Sequence, residues 1–436
     1  MPSPAPEPLA PRPLAIWLVN PFDDIPGEGL PPLRYWSLAR VLAARGHDVT
    51  WWTATWSHRR KAIRTAPLGI RDDEGFAVRL VAVRPYEKNV SLARLGSHRD
   101  FGRTFERLAS ESVSSGQLAR PDIILASLPP FEGPEAAARL ARRLDATFVL
   151  DLMDVWPETF DRLLPGPGFV RRLLSPFFLG SMHRRREELV AAADAVSAAT
   201  QTYADAVLAA APAALPRHLC YVGAYPQEFP APRPTVNEVP MPDGSTPGTG
   251  EPGPLECVYA GTLEAGQDLD TLAAAARQLS AMGAKVTIHV AGTGSHEPAL
   301  RRAAATTGGS CRLEVHGLLP RQAYVSLLSR CDVGLVCVKP ESFVAVPYKA
   351  CDYAAAGLAL VNSLPGELQE LIDRHSAGVP YTSGDAASLA RVIADLAANR
   401  TRLADLRLGA RRLVAAEFDR ERTYAAFADW LETVTG

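Results

Sequence analysis

A proline-rich segment divides the chain into two halves that share the same alternation of strands and helices. Residues Pro230–Pro254 contain eight prolines and four glycines in 25 positions, which predicts a linker or surface loop. On both sides, apolar runs of strand length alternate with helical stretches, an order typical of parallel sheets covered by helices. The chain is therefore predicted to form two tandem, Rossmann-like, doubly wound α/β domains with a ligand cleft between them.

The first half begins with a strand–loop–helix–strand unit. Apolar residues form the strands Leu14–Val19 and Asp48–Thr53, and one helical face repeats over Leu33–Ala44. Further strands are predicted at Ala77–Val83, Asp122–Ala126, Thr147–Leu150, Ala195–Ala198 and Leu219–Val222. Further helices are predicted near Asp100–Ser112, Glu132–Leu144 and Phe169–Ala193. We place a Pro/Ala-rich tail at 1–13, the first domain at 14–229 and the linker at 230–254.

The second half repeats this alternation. Strands are predicted at Cys257–Ala260, Val286–Val290, Arg312–Val315, Val333–Val338 and Ala359–Val361. Helices are predicted at Gln267–Met282, Glu297–Thr306, Arg321–Ser329 and Tyr348–Ala356, with more from Ala386 to the end. We place the second domain at 255–415 and expect a last helix, 416–436, to pack back on the first domain.

Charge, cysteine and histidine usage exclude several classes of function. A formal net charge of −2 excludes a strongly basic nucleic-acid binder. Six cysteines without C-x-x-C spacing indicate buried thiols in a reducing compartment rather than disulfides or a zinc site. The nine histidines show no metal-ligand spacing, and His289 is predicted to be a hydrogen-bonded core residue. With neither a signal-peptide pattern nor a long apolar run, a cytoplasmic protein is expected.

Two loops of the first half carry candidate functional groups. Pro21–Pro32 places glycines before a helix, which suits either phosphate contact or a flexible loop. It lacks the G-x-G-x-x-G spacing of dinucleotide binders, which argues against a nicotinamide enzyme. Asp154 and Glu158 follow a strand and suit acid–base work or acceptor hydroxyls. The alternative is that Asp154 caps a turn while Trp156 packs in the core.

Two basic stretches of the first half bear on partners. Between His58 and Arg107 there are 12 basic and six acidic residues, which suits an anionic acceptor, a lipid phosphate or only solubility. Phe169–Val190 mixes apolar residues with five arginines. A surface helix with a core-facing stripe is favoured there, and peripheral contact with an anionic membrane is the alternative.

The richest stretch of the second half is Glu341–Gly357. A helix is predicted to begin near Pro347, so that backbone amides of Val344–Tyr348 would face an anion. Lys349 can neutralise a diphosphate and Asp352 can accept ribose hydroxyls, unless the two form a solvated salt bridge at i,i+3 spacing. Earlier, the pair Gly292 and Gly294 follows a strand, and by itself this pair is better explained by a tight turn than by phosphate contact.

The order and spacing of these motifs resemble glycosyltransferase family 4, retaining enzymes of the GT-B fold, and its fucosaminyl-transferase-like branch in particular. The resemblance is carried by Arg34, Leu38–Ala39, Arg45–Thr50, Asp154–Pro157, Tyr259–Gly261, Gln267–Leu269, Ala291–Gly294, His316–Gly317, Cys331–Leu335 and Val346–Gly357. It extends over nearly the whole chain, and it implies a GT-B fold.

The resemblance also implies a donor site. Gly29 resembles the loop glycine whose amide faces the donor diphosphate, and Gly317 and Leu318 stand where the family holds the base through its backbone. Lys349 resembles the branch's Pro-x-Lys lysine, and Asp352 matches the second acid of the family's Glu-x7-Glu motif, which binds ribose. The full predicted donor-binding set is Gly29, Thr262, Gln267, Gly292, Gly317, Leu318, Glu341, Val346, Lys349 and Asp352. Asp154 and Lys349 are the predicted catalytic residues.

The chain departs from the family pattern at several positions. Val344 stands where the first acid of Glu-x7-Glu belongs, and Glu341 is the nearest substitute. Thr262 and Gln267 replace the usual arginine and lysine, although this branch often has glutamine. Ser127–Pro130 stands where many relatives have a histidine. Nucleotide binding is therefore predicted more strongly than any catalytic role.

The resemblance implies a retaining transferase that needs no metal and no cofactor. It would move a hexose-like unit from a nucleotide diphosphate sugar to a hydroxyl or amine of a glycolipid, polysaccharide precursor or natural product. Two alternatives stay open: a nucleotide-sugar epimerase or hydrolase of the same fold, and a non-catalytic partner protein that binds a nucleotide-sugar.

Overall fold

The computed structural model describes residues 12–28, 32–64, 69–71, 74–88, 91–163, 168–209, 211–230 and 253–435. The chain divides into two compact units, Met1–Cys220 with Tyr424–Gly436, and Tyr221–Thr423. Each unit is built on a mainly parallel sheet with helices, so the predicted two-domain α/β fold is confirmed. Gly29, most of the predicted tail and residues 231–252 of the predicted linker lie outside the described residues.

The first unit contains an eight-stranded sheet in the order β10-β9-β8-β7-β1-β2-β6-β5, parallel except for the β5–β6 pair. Its strands are β1 (Ala15–Val19), β2 (Asp48–Ala54), β5 (Gly69–Arg71), β6 (Ala77–Val81), β7 (Ile123–Leu128), β8 (Thr147–Leu152), β9 (Ala195–Ala198) and β10 (Arg217–Leu219), and β3 (Trp56–Ser57) pairs with β4 (Ala62–Ile63). Its helices are α1 (Arg34–Ala44), α2 (Leu92–Ser114), α3 (Glu132–Leu144), α4 (Gly168–Ala192) and α5 (Gln201–Leu208), with a 3-10 turn at Glu158–Leu163.

A buried ion pair joins α1 to the sheet of the first unit. Both side chains of Arg34 and Asp151 are fully buried, and the guanidinium donates to the two carboxylate oxygens at 2.9 and 2.8 Å. The hydroxyls of Tyr35 and Ser197 donate to the same carboxylate, and Arg34 also donates to the carbonyl oxygen of Cys220. Because the guanidinium and the carboxylate both have several hydrogen-bond partners, the cost of burying the two charges is offset and α1 is fixed against β8.

The second unit contains a six-stranded parallel sheet in the order β13-β12-β11-β14-β15-β16. Its strands are β11 (Leu255–Ala260), β12 (Val286–Ala291), β13 (Cys311–Gly317), β14 (Val333–Val336), β15 (Ala359–Asn362) and β16 (Gly378–Pro380). Its helices are α6 (Leu269–Ala281), α7 (Glu297–Thr306), α8 (Arg321–Arg330), α9 (Tyr348–Ala355), α10 (Glu367–His375), α11 (Ala386–Ala398) and α12 (Arg400–Leu413), with a π-helical turn at Val414–Phe418 and a 3-10 turn at Pro226–Glu228. Alternate residues of β11, β12 and β13 pack with α6 and α11 in one apolar core.

The last helix, α13 (Arg420–Thr433), runs from the second unit into the first. Within the first unit, Tyr424, Phe427 and Leu431 are buried in the same apolar cluster as Ile16 and Leu38. No helix in the described part of the chain is long and apolar enough to cross a membrane.

The basic amphipathic stretch of the first unit forms most of α4. Two of its arginines are engaged inside the unit: Arg185 pairs with Glu132 and Glu135, and Arg186 pairs with Glu158. Farther along the helix, Leu189 and Val190 are buried in the core. These contacts suit a surface helix with a core-facing stripe, and membrane contact stays a prediction.

Candidate functional site

Lys349 lies at the start of α9, facing residues that follow β11. The helix begins at Tyr348. Its N-cap residue is Pro347, whose side chain makes no capping hydrogen bond with the first turn. The side chain of Lys349 reaches across to Tyr259 at the end of β11 and to Gln267 in the next loop. An isolated bridge between Gln267 and Val338, which follows β14, holds this loop beside the strand.

The ammonium of Lys349 is held entirely by neutral groups. Its Nζ donates to the hydroxyl of Tyr259 at 3.0 Å and to Oε1 of Gln267 at 2.9 Å, and it lies 4.1 Å from the centre of the tyrosine ring. No carboxylate among the described residues forms an ion pair with it. Because an ammonium has three N–H donors, one of them is left to bind another acceptor.

Burial shapes the charge state of Lys349. Desolvation lowers the pKa of its amine to about 8, since removal from water disfavours the charged form. At neutral pH the side chain is still mainly an ammonium. Within the described part of the chain, the site therefore holds a partly buried positive charge without a counter-ion, an arrangement that suits an anionic ligand.

Gln267 adds a second donor to this position. An ammonium only donates, so the amide oxygen of Gln267 must face Lys349, and the hydroxyl of Tyr259 lies 3.0 Å from that oxygen. The amide NH₂ of Gln267 then points away from both partners. One lysine N–H and one amide NH₂ are thus available to an anionic ligand.

Three loops meet beside Lys349 and are held together by backbone contacts. The amide of Gly261 donates to Ala291 at 2.9 Å, and the amide of Gly292 donates to Gly317 at 2.7 Å. Gly292 has a φ of +139°, and a Cβ there would lie 1.8 Å from the carbonyl oxygen of Gly261. A glycine is therefore required at position 292 because two backbone segments pack closely there. This contact agrees with the explanation of Gly292 as part of a tight turn.

Asp352 lies three residues after Lys349 but pairs with a different element. Its Oδ2 accepts from Tyr324 at 2.8 Å and from Arg321 at 3.3 Å, both on α8, and Arg321 also donates to Glu228 at 3.0 Å. Burial raises the pKa of Asp352, against the opposing effect of the arginine. Among the described residues, Asp352 forms no salt bridge with Lys349, which was the alternative explanation of their i,i+3 spacing. Within the same described part of the chain, Oδ1 of Asp352 accepts no protein hydrogen bond.

The other predicted donor-site residues are spread over the same strand ends. Gly317 ends β13 with a φ of +72°, and Leu318 after it is exposed. Glu341 is exposed in the loop before α9, whereas Val346 is buried. Thr262 contributes its backbone oxygen to Tyr259 at 2.7 Å. Gly29 lies outside the described residues, and the donor-binding roles of all these residues stay predictions.

Asp154 caps a turn in the first unit. Its Oδ1 accepts from the amide of Val155 at 2.7 Å and from the hydroxyl of Thr159 at 3.2 Å, just before a 3-10 turn. Trp156 is buried and packs against Phe160 with ring centres 4.6 Å apart. These contacts match the structural alternative for this segment, and a catalytic role for Asp154 stays a prediction.

A cluster of aromatic and basic side chains in the first unit was not singled out from the sequence. The guanidinium of Arg94 lies 5.5 Å from the ring centre of Phe22 and 5.8 Å from that of Trp156, and it donates to His98 at 3.3 Å. His58 hydrogen-bonds the hydroxyl of Tyr86 at 2.6 Å. Its members lie in the loop Pro21–Pro32, in the basic stretch from His58 to Arg107 and at Trp156. The sequence marked these segments separately but did not show that they meet.

The histidines of this aromatic–basic cluster are neutral. Burial lowers the pKa of His58 to about 4 and that of His98 to about 3, with the nearby charge of Arg94 acting in the same direction. The cluster therefore presents the guanidinium of Arg94, and the ammonium of Lys61 4.8 Å from the ring centre of Tyr86, among rings and uncharged imidazoles. Such a surface suits an aromatic or anionic group.

Two families match the two halves of the chain. Residues 33–223 match the family described as "Glycosyl transferase 4-like domain", and residues 254–399 match "Glycosyl transferases group 1". No curated protein matches the sequence of this chain.

Several solved structures are similar to this chain over nearly its whole length. Sucrose-phosphate synthase from Thermosynechococcus elongatus matches with a TM-score of 0.70 at 14% identity, over 97% of this chain and 99% of that one. HepE of Anabaena, solved in complex with UDP-glucose, matches with a TM-score of 0.63 at 16% identity, over 96% and 100%. An E. coli structure titled "Trehalose-6-phosphate", bound with UDP-2-fluoro glucose, matches with a TM-score of 0.65 at 12% identity, over 96% and 99%. At such identities these likenesses establish the GT-B fold alone.

Proposed function

Since the two halves of the chain carry two glycosyltransferase domains on the GT-B fold, we propose that this enzyme transfers a sugar from a nucleotide diphosphate sugar to an acceptor. The proposed reaction retains the anomeric configuration and needs no metal. The acceptor atom is a hydroxyl or amine of a glycolipid, polysaccharide precursor or natural product. The observation that carries the proposal is the uncompensated ammonium of Lys349.

The ammonium of Lys349 supplies positive charge near two positions where this chain lacks the basic residues of the family pattern. Thr262 and Gln267 stand at the positions of the usual arginine and lysine, and the Nζ of Lys349 reaches Gln267 at 2.9 Å. The donor diphosphate binds Lys349 and the amide NH₂ of Gln267. As the nucleoside diphosphate leaves, negative charge grows on its oxygens, and a fixed cation stabilises that charge more in the transition state than in the ground state.

The nucleoside half of the donor uses neighbouring strand ends. Among the described residues, Oδ1 of Asp352 has no protein partner, and it accepts a ribose hydroxyl. The backbone of Gly317 and Leu318 holds the base. Solved neighbours bound to UDP-glucose and UDP-2-fluoro glucose make a uridine diphosphate sugar the first donor to test.

The chemical step needs no strong protein base. The bond between the anomeric carbon and the diphosphate oxygen breaks, and both electrons leave with the diphosphate. The acceptor oxygen attacks the same face, and its proton passes to the departing diphosphate oxygen. This route is favoured because Asp154 already accepts two hydrogen bonds in its turn. Lys349 supplies positive charge that a metal ion supplies in other transferases.

The acceptor is expected to contact the aromatic–basic cluster of the first unit. Arg94 lies over the rings of Phe22 and Trp156, which suits a ring system that carries negative charge or polar substituents. A lipid phosphate and a natural-product scaffold both have this chemistry, and an acceptor panel distinguishes them.

The test combines a donor panel with a charge-removing variant. Thermal melting with a set of nucleotide-sugars identifies the donor, because a ligand that binds only the folded state raises the melting temperature. Release of nucleoside diphosphate is then measured with and without acceptors, in the presence of a chelator. Lys349→Met is expected to lose roughly 10²-fold in turnover, and the exposed Lys285→Met serves as the matched control.

Each outcome of this test separates the candidate functions. Acceptor-dependent release that survives chelation supports the transferase, whereas release without any acceptor indicates the hydrolase or epimerase alternative. Saturable binding without turnover over a broad acceptor panel indicates a non-catalytic binding partner. Full turnover by Lys349→Met with intact folding contradicts the role given to the lysine.

A further inference from the structure

Four side chains with metal-binding or hydrogen-bonding chemistry meet on one face of the second sheet. Glu256 on β11, His289 on β12, and Glu314 and His316 on β13 all point away from the apolar core that covers the opposite face. His289 and Glu314 are direct partners in the parallel register. The register then shifts between Val290 and Ala291, and this irregularity leaves His316 beside His289.

The ligand atoms are spaced as they are around a tetrahedral metal ion. Nδ1 of His289 lies 3.0 Å from Nε2 of His316 and 3.3 Å from Oε2 of Glu314, and the last two atoms are 4.0 Å apart. With bond lengths of about 2.0–2.2 Å, neighbouring ligand atoms of a tetrahedral zinc ion lie about 3.3–3.5 Å apart. The three measured separations bracket this range, so one ion can reach all three atoms after small side-chain rotations.

Glu256 orients the central histidine for metal binding. Its Oε2 lies 2.8 Å from Nε2 of His289, so this nitrogen carries the proton and donates to the carboxylate. The proton on Nε2 leaves the lone pair on Nδ1, the atom that faces His316 and Glu314. A carboxylate that accepts from the far nitrogen of a ligating histidine is the usual support of a metal-bound imidazole.

The cluster is reached from solvent on the side of Glu314. The His289 side chain is 5% exposed, whereas that of Glu314 is 43% exposed. The cluster opens into a cavity of about 480 Å³ that Glu256, His289 and Glu314 help to line, so an ion has a path from solvent.

We propose that His289, Glu314 and His316 bind a divalent transition-metal ion of the zinc type, with water in the fourth position. Two imidazole nitrogens and one carboxylate form a ligand set that suits zinc and cobalt better than magnesium or calcium. The ion ties edge strand β13 to β12 one residue before Gly317. It is a structural ion, separate from the transfer reaction.

Direct metal titration tests this site. Untagged full-length protein is treated with a chelator, desalted and titrated with zinc by calorimetry and with cobalt by visible absorption. The expected result is one ion per chain, a melting temperature raised by zinc, and the visible bands of tetrahedral cobalt. Failure of zinc or cobalt to saturate at one equivalent overturns the proposal.

Variants separate this site from adventitious binding. His316→Asn and Glu314→Gln affect partly exposed side chains, so folding is expected to survive, and each should weaken zinc binding at least 100-fold. Glu256→Gln should weaken it about 10–100-fold through the orientation of His289. His296→Asn, a histidine of the same unit outside the cluster, should leave binding unchanged. Equal zinc binding by the His316→Asn variant and the wild type contradicts the assignment.

Discussion

Lys349 and Gln267 are joined by a hydrogen bond of 2.9 Å although 82 positions separate them in the chain. Gln267 stands where the resembling family has a lysine, and Lys349 comes from α9, the helix that follows β14 along the chain. A positive charge from α9 therefore lies beside the glutamine that stands at the family's lysine position. If the proposed diphosphate site is correct, anion binding there should depend on the charge state of this one amine.

The first prediction concerns pH. Burial lowers the pKa of Lys349 to about 8, so the ammonium is lost as the pH rises through that value. The affinity of the free protein for uridine diphosphate is expected to fall about tenfold between about pH 7 and pH 9. Calorimetry in buffers of constant ionic strength measures the change.

An arginine variant provides the control for this pH dependence. Lys349→Arg keeps its charge throughout this range, because a guanidinium does not deprotonate in proteins. Its affinity for uridine diphosphate should be lower but nearly constant with pH. A wild-type affinity that is equally constant means that Lys349 does not bind the diphosphate.

The second prediction introduces a competing anion. Gln267→Glu preserves the shape of the side chain and places a carboxylate next to the ammonium of Lys349. The resulting ion pair should weaken uridine diphosphate binding about 10–100-fold while leaving the melting temperature unchanged or higher. Gln267→Met removes the amide without adding charge and should have a smaller effect. Wild-type affinity in Gln267→Glu argues against an anion at this position.

The third prediction tests the free oxygen of Asp352. If Oδ1 accepts a ribose hydroxyl, Asp352→Asn should weaken uridine diphosphate binding about tenfold. The loss should shrink when the ligand lacks its 2′- or 3′-hydroxyl, because the variant then removes no contact. Tyr324→Phe removes only the hydrogen bond to Oδ2 and is the matched control. Equal losses with every ligand indicate a purely structural role for Asp352.

The fold was predictable wherever apolar periodicity was strong. The first strand was predicted at Leu14–Val19 and found at Ala15–Val19, and both sheets follow the predicted alternation. Helix α2 begins eight residues before its predicted start at Asp100, because Ser91 caps it at 3.1 Å while Leu92 is exposed. Neither the exposed leucine nor the cap contributes to an apolar pattern.

Some short elements had no sequence signal. Strand β16 ends in Pro380, and a proline argues against a strand. The strand forms because it lies at the edge of the sheet, where the missing N–H does not interrupt a ladder. Helix α10 before it was not predicted from the sequence either.

The sequence indicated which residues to consider for the candidate site, but it did not indicate their contacts in the fold. Lys349 and Asp352 were identified from their spacing on a helix that follows a strand, and Gln267 from the family resemblance, but the partners that position them were not identified. Tyr259 fits the pattern of a buried strand residue, and Arg321 fits that of an exposed helix residue. Their contacts depend on how strands β11 and β14 are ordered in the sheet, which a single sequence does not specify.

The fourth prediction concerns the stability of the first unit. Asp151→Asn leaves the fully buried guanidinium of Arg34 without its counter-charge, and this should destabilise the unit by about 3–5 kcal/mol. The exposed pair Arg107 and Glu111, with side chains 60% and 57% exposed, is the control. Glu111→Gln should change stability by no more than about 0.5 kcal/mol.

Intrinsic fluorescence isolates this effect from the second unit. All seven tryptophans of the chain fall in the segments 1–220 and 424–436, so urea unfolding followed by tryptophan emission reports on the first unit alone. The double variant Arg34→Met/Asp151→Leu should be more stable than Asp151→Asn, because it removes both buried charges together. If the single and double variants lose the same stability, the cost lies in packing and in the hydrogen bonds of Tyr35 and Ser197. The buried charge pair would then contribute little to fixing α1 against β8.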